Sequence, residues 1–142
     1  MKRKYSEQAM EQLREAIKSN DIDRVKELIE SGEAGISNLE CVLAVKSNSL
    51  KALEYFVEKG YSVNRILYYG LMAAVKEKNR EAIEIFITDF RDNKSRYAEY
   101  DIDMMILNAV SVATETQEYI HVNPDESLKL VKYILDTYFK ED

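Results

Sequence analysis

A pattern that recurs four times is the feature that most constrains the fold of this chain. Each copy contains an alanine near the end of an apolar stretch, at Ala16, Ala44, Ala74 and Ala109, and successive alanines are 28, 30 and 35 residues apart. A short polar break and a second apolar stretch follow each alanine. Periods of this length are typical of stacked helical repeats. The sequence therefore predicts a repeat protein in which helix, break and helix form one unit.

The second helix of each unit carries its apolar residues at helical spacing, i, i+3, i+6 and i+7 in the complete copies. These residues are Ile22, Val25, Leu28 and Ile29; Leu50, Leu53, Phe56 and Val57; Ile83, Phe86 and Ile87, with Arg80 in the first place; and Leu128, Val131, Ile134 and Leu135. Such spacing places them on one face of a helix. A single helix pair cannot bury this face, so neighbouring pairs are expected to cover it.

Composition agrees with an all-α fold. The 142 residues include one Pro and four Gly, too few for the turns of a sandwich or barrel, and 46% are hydrophobic, enough for one core. We predict a single domain, 1–142, with units at 6–38, 39–64, 65–100 and 101–142. Two irregular segments interrupt the period, a polar loop over 91–99 and an insertion over 114–123.

Features that would direct the chain to a membrane or to secretion are not found in the sequence. The charged amino terminus runs into polar residues, and no apolar run approaches the roughly 18 residues of a membrane span. A lone cysteine cannot form an internal disulfide, which suits a reducing compartment. We expect a cytoplasmic protein that contacts no membrane. The net charge of −6 argues against direct nucleic-acid binding, which needs a cationic surface.

The repeating unit resembles the ankyrin repeat, whose core reads L-x-x-A-A-x-x-G-x-x-x-x-V-x-x-L-L-x-x-G-A-x-x-N. In the first unit Leu13, Ala16, Val25, Leu28 and Gly32 occupy the corresponding positions. In the second unit the stretch 60–64, Gly-Tyr-Ser-Val-Asn, follows the ending of the motif. The resemblance implies a solenoid of about four helix-turn-helix units.

The chain also departs from the ankyrin pattern. No copy opens with Thr-Pro-Leu-His, and the first two periods are shorter than the family's roughly 33 residues. The missing residues fall where ankyrin proteins build a projecting β-hairpin, so we expect shortened β-hairpin fingers. Degenerate copies of this kind are similar to ankyrin-like proteins of large DNA viruses, bacteriophages and intracellular bacteria. A helical-hairpin array of another family is the structural alternative.

Residues for catalysis are scarce. Cys41 and His121 are the only cysteine and histidine, and Cys41 aligns with inward positions of the first helices, which indicates a buried thiol. No zinc-ligand spacing, P-loop or Gly-rich dinucleotide turn occurs. We therefore predict that the chain is not an enzyme, and we assign it no catalytic residue, cofactor or metal.

Three lysines are candidates for a binding row. Lys18, Lys46 and Lys76, here called the Lys row, each stand two residues after the unit's alanine, so stacking of the units would align them. In ankyrin proteins this position borders the concave binding face, which would suit an acidic partner. The alternative interpretation is that a lysine at a helix carboxyl end complements the helix dipole and keeps the surface soluble.

Aromatic residues near the junctions between units are further candidates for partner binding. The second and third units are joined near Tyr61, Arg65, Tyr68 and Tyr69, and the third and fourth near Tyr97 and Tyr100. Tyrosine is frequent in binding hot spots because it offers a large contact area and a hydrogen-bonding tip. The insertion over 114–123 is expected to emerge on one face, often the binding face of a repeat protein.

The leading hypothesis is a non-catalytic protein-protein interaction module in the cytoplasm, the host cytoplasm if the viral or phage resemblance holds, where it would bind a host factor. One alternative is an acidic mimic of nucleic acid that inhibits a DNA-binding protein. Another is a homo-oligomeric scaffold with Tyr133, Tyr138 and Phe139 at the self-interface. The sequence does not identify the partner.

Overall fold

The computed structural model describes residues 5–59, 65–97, 102–114 and 124–140. These residues form helices and connecting segments without a strand, so the all-α prediction is confirmed. The helices are α1 (Glu7–Lys18), α2 (Ile22–Glu30), α3 (Asn38–Lys46), α4 (Leu50–Glu58), α5 (Arg65–Lys76), α6 (Arg80–Asp92), α7 (Ile102–Thr114) and α8 (Pro124–Tyr138), with a short 3₁₀ helix at Lys94–Tyr97 between α6 and α7. The shortened β-hairpin fingers and the solenoid arrangement remain predictions.

The break between the two helices of a unit has the same geometry three times. Asn20, Asn48 and Lys78 adopt left-handed backbone conformations with φ of 56°, 53° and 55°. A left-handed residue just after a helix is the usual way for the chain to leave it, because the turned backbone satisfies the last carbonyl groups. The polar break predicted from the sequence is therefore a repeated helix end.

The alanines that define the period accept the closing hydrogen bond of this turn. The carbonyl oxygen of Ala16 accepts from the backbone N–H five residues later, at 2.9 Å, and those of Ala44 and Ala74 do so at 2.8 and 2.9 Å. The three alanine side chains are buried. A small residue at this place lets the next helix start close by. The period seen in the sequence thus corresponds to one recurring turn, found at three of the four copies.

Side-chain caps mark four of the five helix starts whose N-cap residue the structure describes. Ser6, predicted as the first N-cap, accepts a hydrogen bond from the N–H of Ala9 at 3.1 Å. Asp21 and Asn79 cap α2 and α6 in the same way. These caps satisfy backbone donors that have no partner inside the helix. In the first three units the second helix therefore begins just after the residue that closes the first helix.

Met1–Gly70 forms the first of two compact units. Within it α1 packs against α2 and α3, α3 packs against α4, and α2 contacts α4. The largest fully buried side chains here are Leu13, Ile17, Leu28, Leu53 and Phe56. The inward stripes predicted for the first two copies form this core except at their first positions, Ile22 and Leu50, which are half-buried.

A buried hydroxyl and a buried carboxylate add polar ties to this core. The hydroxyl of Ser49 donates to the carbonyl oxygen of Ile17 at the end of α1. The Glu40 side chain, 1% exposed, accepts from the N–H and the hydroxyl of Ser37 at 3.0 and 2.7 Å and forms an ion pair with Arg14 at 3.5 Å. Ser37 and Glu40 thus form a capping box that fixes the start of α3. The sequence analysis did not predict this capping box.

Leu71–Asp142 forms the second compact unit, in which α8 packs against α6 and α7. Its fully buried side chains include Ile83, Phe86, Ile87, Phe90 and Ile134. The prediction of one domain is not tested by this division.

Two predictions for this unit are wrong. The loop expected over 91–99 is partly helical, because α6 continues two residues into it, to Asp92, and a 3₁₀ helix over Lys94–Tyr97 follows. Phe90, at the expected end of α6, is fully buried. The inward stripe of α8 is also different: Leu130 and Ile134 are buried, whereas Leu128 is 65% exposed. The inward direction of α8 is thus set by the positions of α6 and α7, and it does not follow the register of the earlier units.

Candidate functional site

Cys41 is buried in the core, as its position in the repeat predicted. The side chain is fully buried in α3. Burial raises the pKa of the thiol to about 12, and the neighbouring Glu40 carboxylate adds to the shift. A thiol with this pKa stays protonated near neutral pH and is a poor nucleophile. His121, the other member of the conceivable dyad, lies outside the described residues.

The three lysines of the Lys row share one structural position. Lys18, Lys46 and Lys76 are the last residues of α1, α3 and α5, and all three are exposed. Lys18 forms an exposed ion pair with Glu15 at 3.4 Å. Lys18 and Lys46 end two helices that pack against each other, whereas Lys76 belongs to the second unit. A continuous row of three remains a prediction.

Only part of the tyrosine prediction falls on described side chains. Tyr69 is 44% exposed on α5. Arg65 and Tyr68 lie in α5 and Tyr97 in the 3₁₀ helix, but their side chains are outside the description. Tyr61 and Tyr100, and residues 115–123 of the insertion, also lie outside the described residues.

Neither a metal cluster nor a membrane-spanning segment is present in the described parts of the chain. No group of three or more His, Cys, Asp or Glu side chains there could hold a metal ion. No helix there is both long and apolar enough to cross a bilayer.

A shallow depression of about 530 Å³ lies on the outer surface of α1 and α2. Carboxylates line much of it, including Glu11, Glu15 and Asp21. The one cation in its lining, Arg24, donates to Gln12 at 2.8 Å and pairs with a glutamate of its own helix. These internal bonds make the depression a polar surface with little to offer a ligand.

Cations gather between the start of α6 and α8. Two cavities of about 310 and 250 Å³ share Arg80 and Lys129, and their lining adds Lys78 and Lys132. The second unit as a whole is acidic, with nine Lys and Arg against fifteen Asp and Glu. The lining also contains the carboxylates of Glu126 and Asp136, so cations outnumber carboxylates by four to two in this groove of an acidic unit.

Tyr133 anchors this groove. The Arg80 guanidinium lies 5.3 Å from the centre of its ring, and the tyrosine hydroxyl is 3.1 Å from both the Arg80 carbonyl oxygen and a Glu84 carboxylate oxygen. Burial raises the pKa of Tyr133 to about 12, and the hydrogen bond to Glu84 adds to the shift. The ring therefore fixes α8 against α6 and is not available as a flexible contact residue.

The last helix pair exposes the apolar surface that stands out most in the described residues. Seven large apolar or aromatic side chains are exposed among all the described residues. Four of the seven lie in α7, in α8 or just after α8. These are Met104 (49%), Leu107 (59%), Leu128 (65%) and Phe139 (69%). We call this set the exposed apolar face. Concentrated exposed apolar surface is typical of interaction sites.

A hydrogen bond sets the register of the two helices that form this face. The Tyr138 hydroxyl donates to Asp103 at 2.7 Å, joining the end of α8 to the start of α7. Leu107 lies one helical turn, about 5–6 Å, further along α7. In an antiparallel pair this places it beside the last turns of α8, which are followed by the exposed Phe139.

The sequence contained a signal for this face that the repeat alignment concealed. Of the 13 residues of α7, nine are apolar, and they point in all directions around the helix. A helix that buries only Ile106, Ala109 and Ala113 must leave others exposed. Helices that are apolar all round need cover on every side.

Comparison of the chain with protein-family models, with curated proteins and with solved structures gives no match.

Proposed function

We propose that this protein is a non-catalytic protein-protein interaction module built from ankyrin-like helix pairs. The observation that carries the proposal is the exposed apolar face of α7 and α8. Burying a large aliphatic or aromatic side chain contributes roughly 1.5–3 kcal/mol, so the four residues of this face offer a gross gain of several kcal/mol to a binding partner. Part of that gain is offset by the loss of free motion on association.

Other surfaces fit the same function as secondary contacts. The lysines of the Lys row end their helices in exposed positions, and Tyr69 is exposed on α5. The resemblance to viral and phage ankyrin-like proteins supports a cytoplasmic adaptor or inhibitor that binds a host factor. The apolar face supplies the affinity in this proposal, and the lysines favour a partner with acidic residues.

The acidic-mimic hypothesis has less support. It requires carboxylates spaced like phosphates along one face. The second unit carries the whole net charge of −6, but four of its nine cations gather beside α8 and interrupt the acidic surface. A competition assay with duplex DNA for a DNA-binding protein would reveal such mimicry.

Affinity capture from host lysate tests the proposal. The wild type is compared with Leu107→Glu/Leu128→Glu, which changes two exposed residues of the apolar face, and with Lys18→Glu/Lys46→Glu/Lys76→Glu, which changes the Lys row. Circular dichroism confirms that each variant keeps its helices. We expect a partner that the wild type retains and the apolar-face variant loses, with a smaller loss for the lysine variant. Equal retention by the wild type and the apolar-face variant would contradict the proposed surface.

A further inference from the structure

The exposed side of α8 carries an apolar ridge. Leu128, Leu135 and Phe139 stand at i, i+7 and i+11, and at 100° per residue they fall within about 40° of one another. Leu128 and Phe139 are exposed and Leu135 is half-buried. The fully packed residues, Leu130 and Ile134, point more than about 100° away from this ridge. The ridge is thus the side of α8 that its own unit leaves open.

Two opposite charges lie on one flank of the ridge. Lys129 and Asp136 are exposed, and both project about 80–100° from Leu128 on the side facing α6. Neither forms an ion pair with any residue that the structure describes. Each is therefore available to a charged group on another molecule.

We propose that the α8 ridge binds a second copy of this chain, with the two α8 helices antiparallel about a twofold axis. This inference rests on the proposed function and names its partner. In an antiparallel pair the same flank of both helices meets, so Lys129 of each copy faces Asp136 of the other. In a parallel pair opposite flanks of the two helices meet, so Lys129 of one copy would lie beside Ser127 and Val131 of the other and would find no opposite charge. The charge pattern of α8 is complementary to itself in the antiparallel direction alone.

The register follows from the charges and suits the ridge. Lys129 and Asp136 come level when the helices cross between residues 132 and 133. Leu128 of one copy then lies level with position 137 of the other, between Leu135 and Phe139. The apolar side chains therefore interdigitate, as in other helix-helix contacts. Isologous contacts of this kind are the commonest basis of homodimers.

One residue opposes the pairing. Lys132 is exposed about 40° from Leu128, and the crossing brings it almost level with Lys132 of the second copy. Two like charges close to the axis destabilise the pair. The two neighbouring lysines of α8 thus have opposite expected effects, Lys129 favourable and Lys132 unfavourable. If an acidic partner bound in the groove between α6 and α8 instead, the loss of either lysine would weaken its binding.

The contact is small. A helix of 15 residues is about 22 Å long, and Leu107 of α7 is a further exposed apolar residue of the same unit. This surface falls below the roughly 800 Å² per partner of a standard stable interface. We expect a reversible dimer that forms with rising protein concentration.

Sedimentation equilibrium of the full chain, from low micromolar to millimolar concentration at low salt, tests the proposal. The wild type is expected to associate reversibly. Lys129→Glu should weaken association about tenfold or more, because it sets like charges against each other in both symmetric contacts. Lys129→Glu/Asp136→Lys should restore it to within about threefold, since the swap rebuilds both pairs. Lys132→Gln should strengthen it about threefold.

Controls separate this proposal from a general charge effect and from the proposed function. Lys51→Glu on the exposed side of α4 makes the same charge change in the other unit and should leave association unaltered. A monomeric wild type at all concentrations, failure of the double variant to restore association, or weakening by Lys132→Gln would overturn the proposal. If the wild type is monomeric yet captures a partner that Leu107→Glu/Leu128→Glu loses, self-pairing is wrong and the interaction module stands. If the wild type dimerises as described and captures nothing else, self-pairing stands without a host partner.

Discussion

The two compact units use similar helices but finish their surfaces differently. In Met1–Gly70 the described part exposes three large apolar or aromatic side chains, two tyrosines and the aliphatic Leu39, and the formal charges balance, with eleven Lys and Arg against eleven Asp and Glu. In Leu71–Asp142 the last helix pair exposes four large apolar residues, and the unit carries the net charge of −6. Both units have a buried core, but the second leaves more aliphatic surface available for contact.

The largest expected difference between the units concerns two phenylalanines. Phe56→Ala should lower the free energy of unfolding by about 3–5 kcal/mol, because the ring is fully buried and its removal leaves a cavity. Phe139→Ala should change it by less than about 0.5 kcal/mol, because that ring is 69% exposed. Urea denaturation at low protein concentration measures both. Similar losses for the two variants would show that Phe139 is part of the core.

Two ion pairs of equal length sharpen the comparison. Arg14 and Glu40 in the first unit, and Lys78 and Glu126 in the second, are each 3.5 Å apart, but the carboxylates are 1% and 61% exposed. Glu40→Ala should cost about 1–2 kcal/mol, because it removes the capping box at the start of α3 and the ion pair with Arg14. Glu126→Ala should cost less than about 1 kcal/mol. If Glu126→Ala lowered the denaturation midpoint more than Glu40→Ala, burial of the carboxylate would not determine the contribution of these ion pairs to stability.

The repeated turn offers a smaller effect of opposite sign. Lys78 holds the left-handed conformation that glycine adopts without strain, whereas Asn20 tolerates it better than most residues. Lys78→Gly should therefore stabilise the protein by about 0.5 kcal/mol, even after the loss of its exposed ion pair. Asn20→Gly should be nearly neutral. Thermal melts of the two variants should move in this order, and a destabilised Lys78→Gly would show that the lysine side chain matters more than its backbone.

Alkaline pH gives the smallest of these effects. The folded pKa of Tyr133, about 12, lies above the ordinary value of 10. The stability gained from the neutral hydroxyl is therefore fully present below pH 10 and is lost as the pH rises through 12. Since this tyrosine is half-buried, we expect less than about 1 kcal/mol. The difference in unfolding free energy between wild type and Tyr133→Phe should shrink above pH 10, and a constant difference would contradict the shift.

Local features of this fold could be read from the sequence because they depend on neighbours in the chain. The Ser6 cap, the ends of α1 and α3 and the inward stripes of the first two units all follow from residues within one helix pair. The α8 register could not be read in this way. The side of α8 that faces inward is determined by its packing against α6 and α7. This packing buries Leu130 and Ile134 and leaves Leu128 exposed, whereas the repeat pattern predicted that Leu128 faces inward.

The same limit applied to the candidate site. The corresponding positions Arg24, Ala52 and Ala82 are the third residues of α2, α4 and α6; the arginine is half-buried, whereas the two alanines are fully buried. Whether such a position is covered depends on what packs over it, and a single unit does not contain that information. The exposed apolar face was missed for this reason, although the excess of apolar residues in α7 indicated it.

The thiol of Cys41 is a natural probe for local unfolding of the first unit. With its pKa at about 12, the sulfur is almost entirely unreactive towards alkylating reagents while α3 is packed. Once that helix opens, the pKa falls towards its ordinary value and labelling proceeds. Because the chain has one cysteine, the rate of its modification reports how often this unit alone opens to expose the thiol. The measurement needs no dye and no engineered probe.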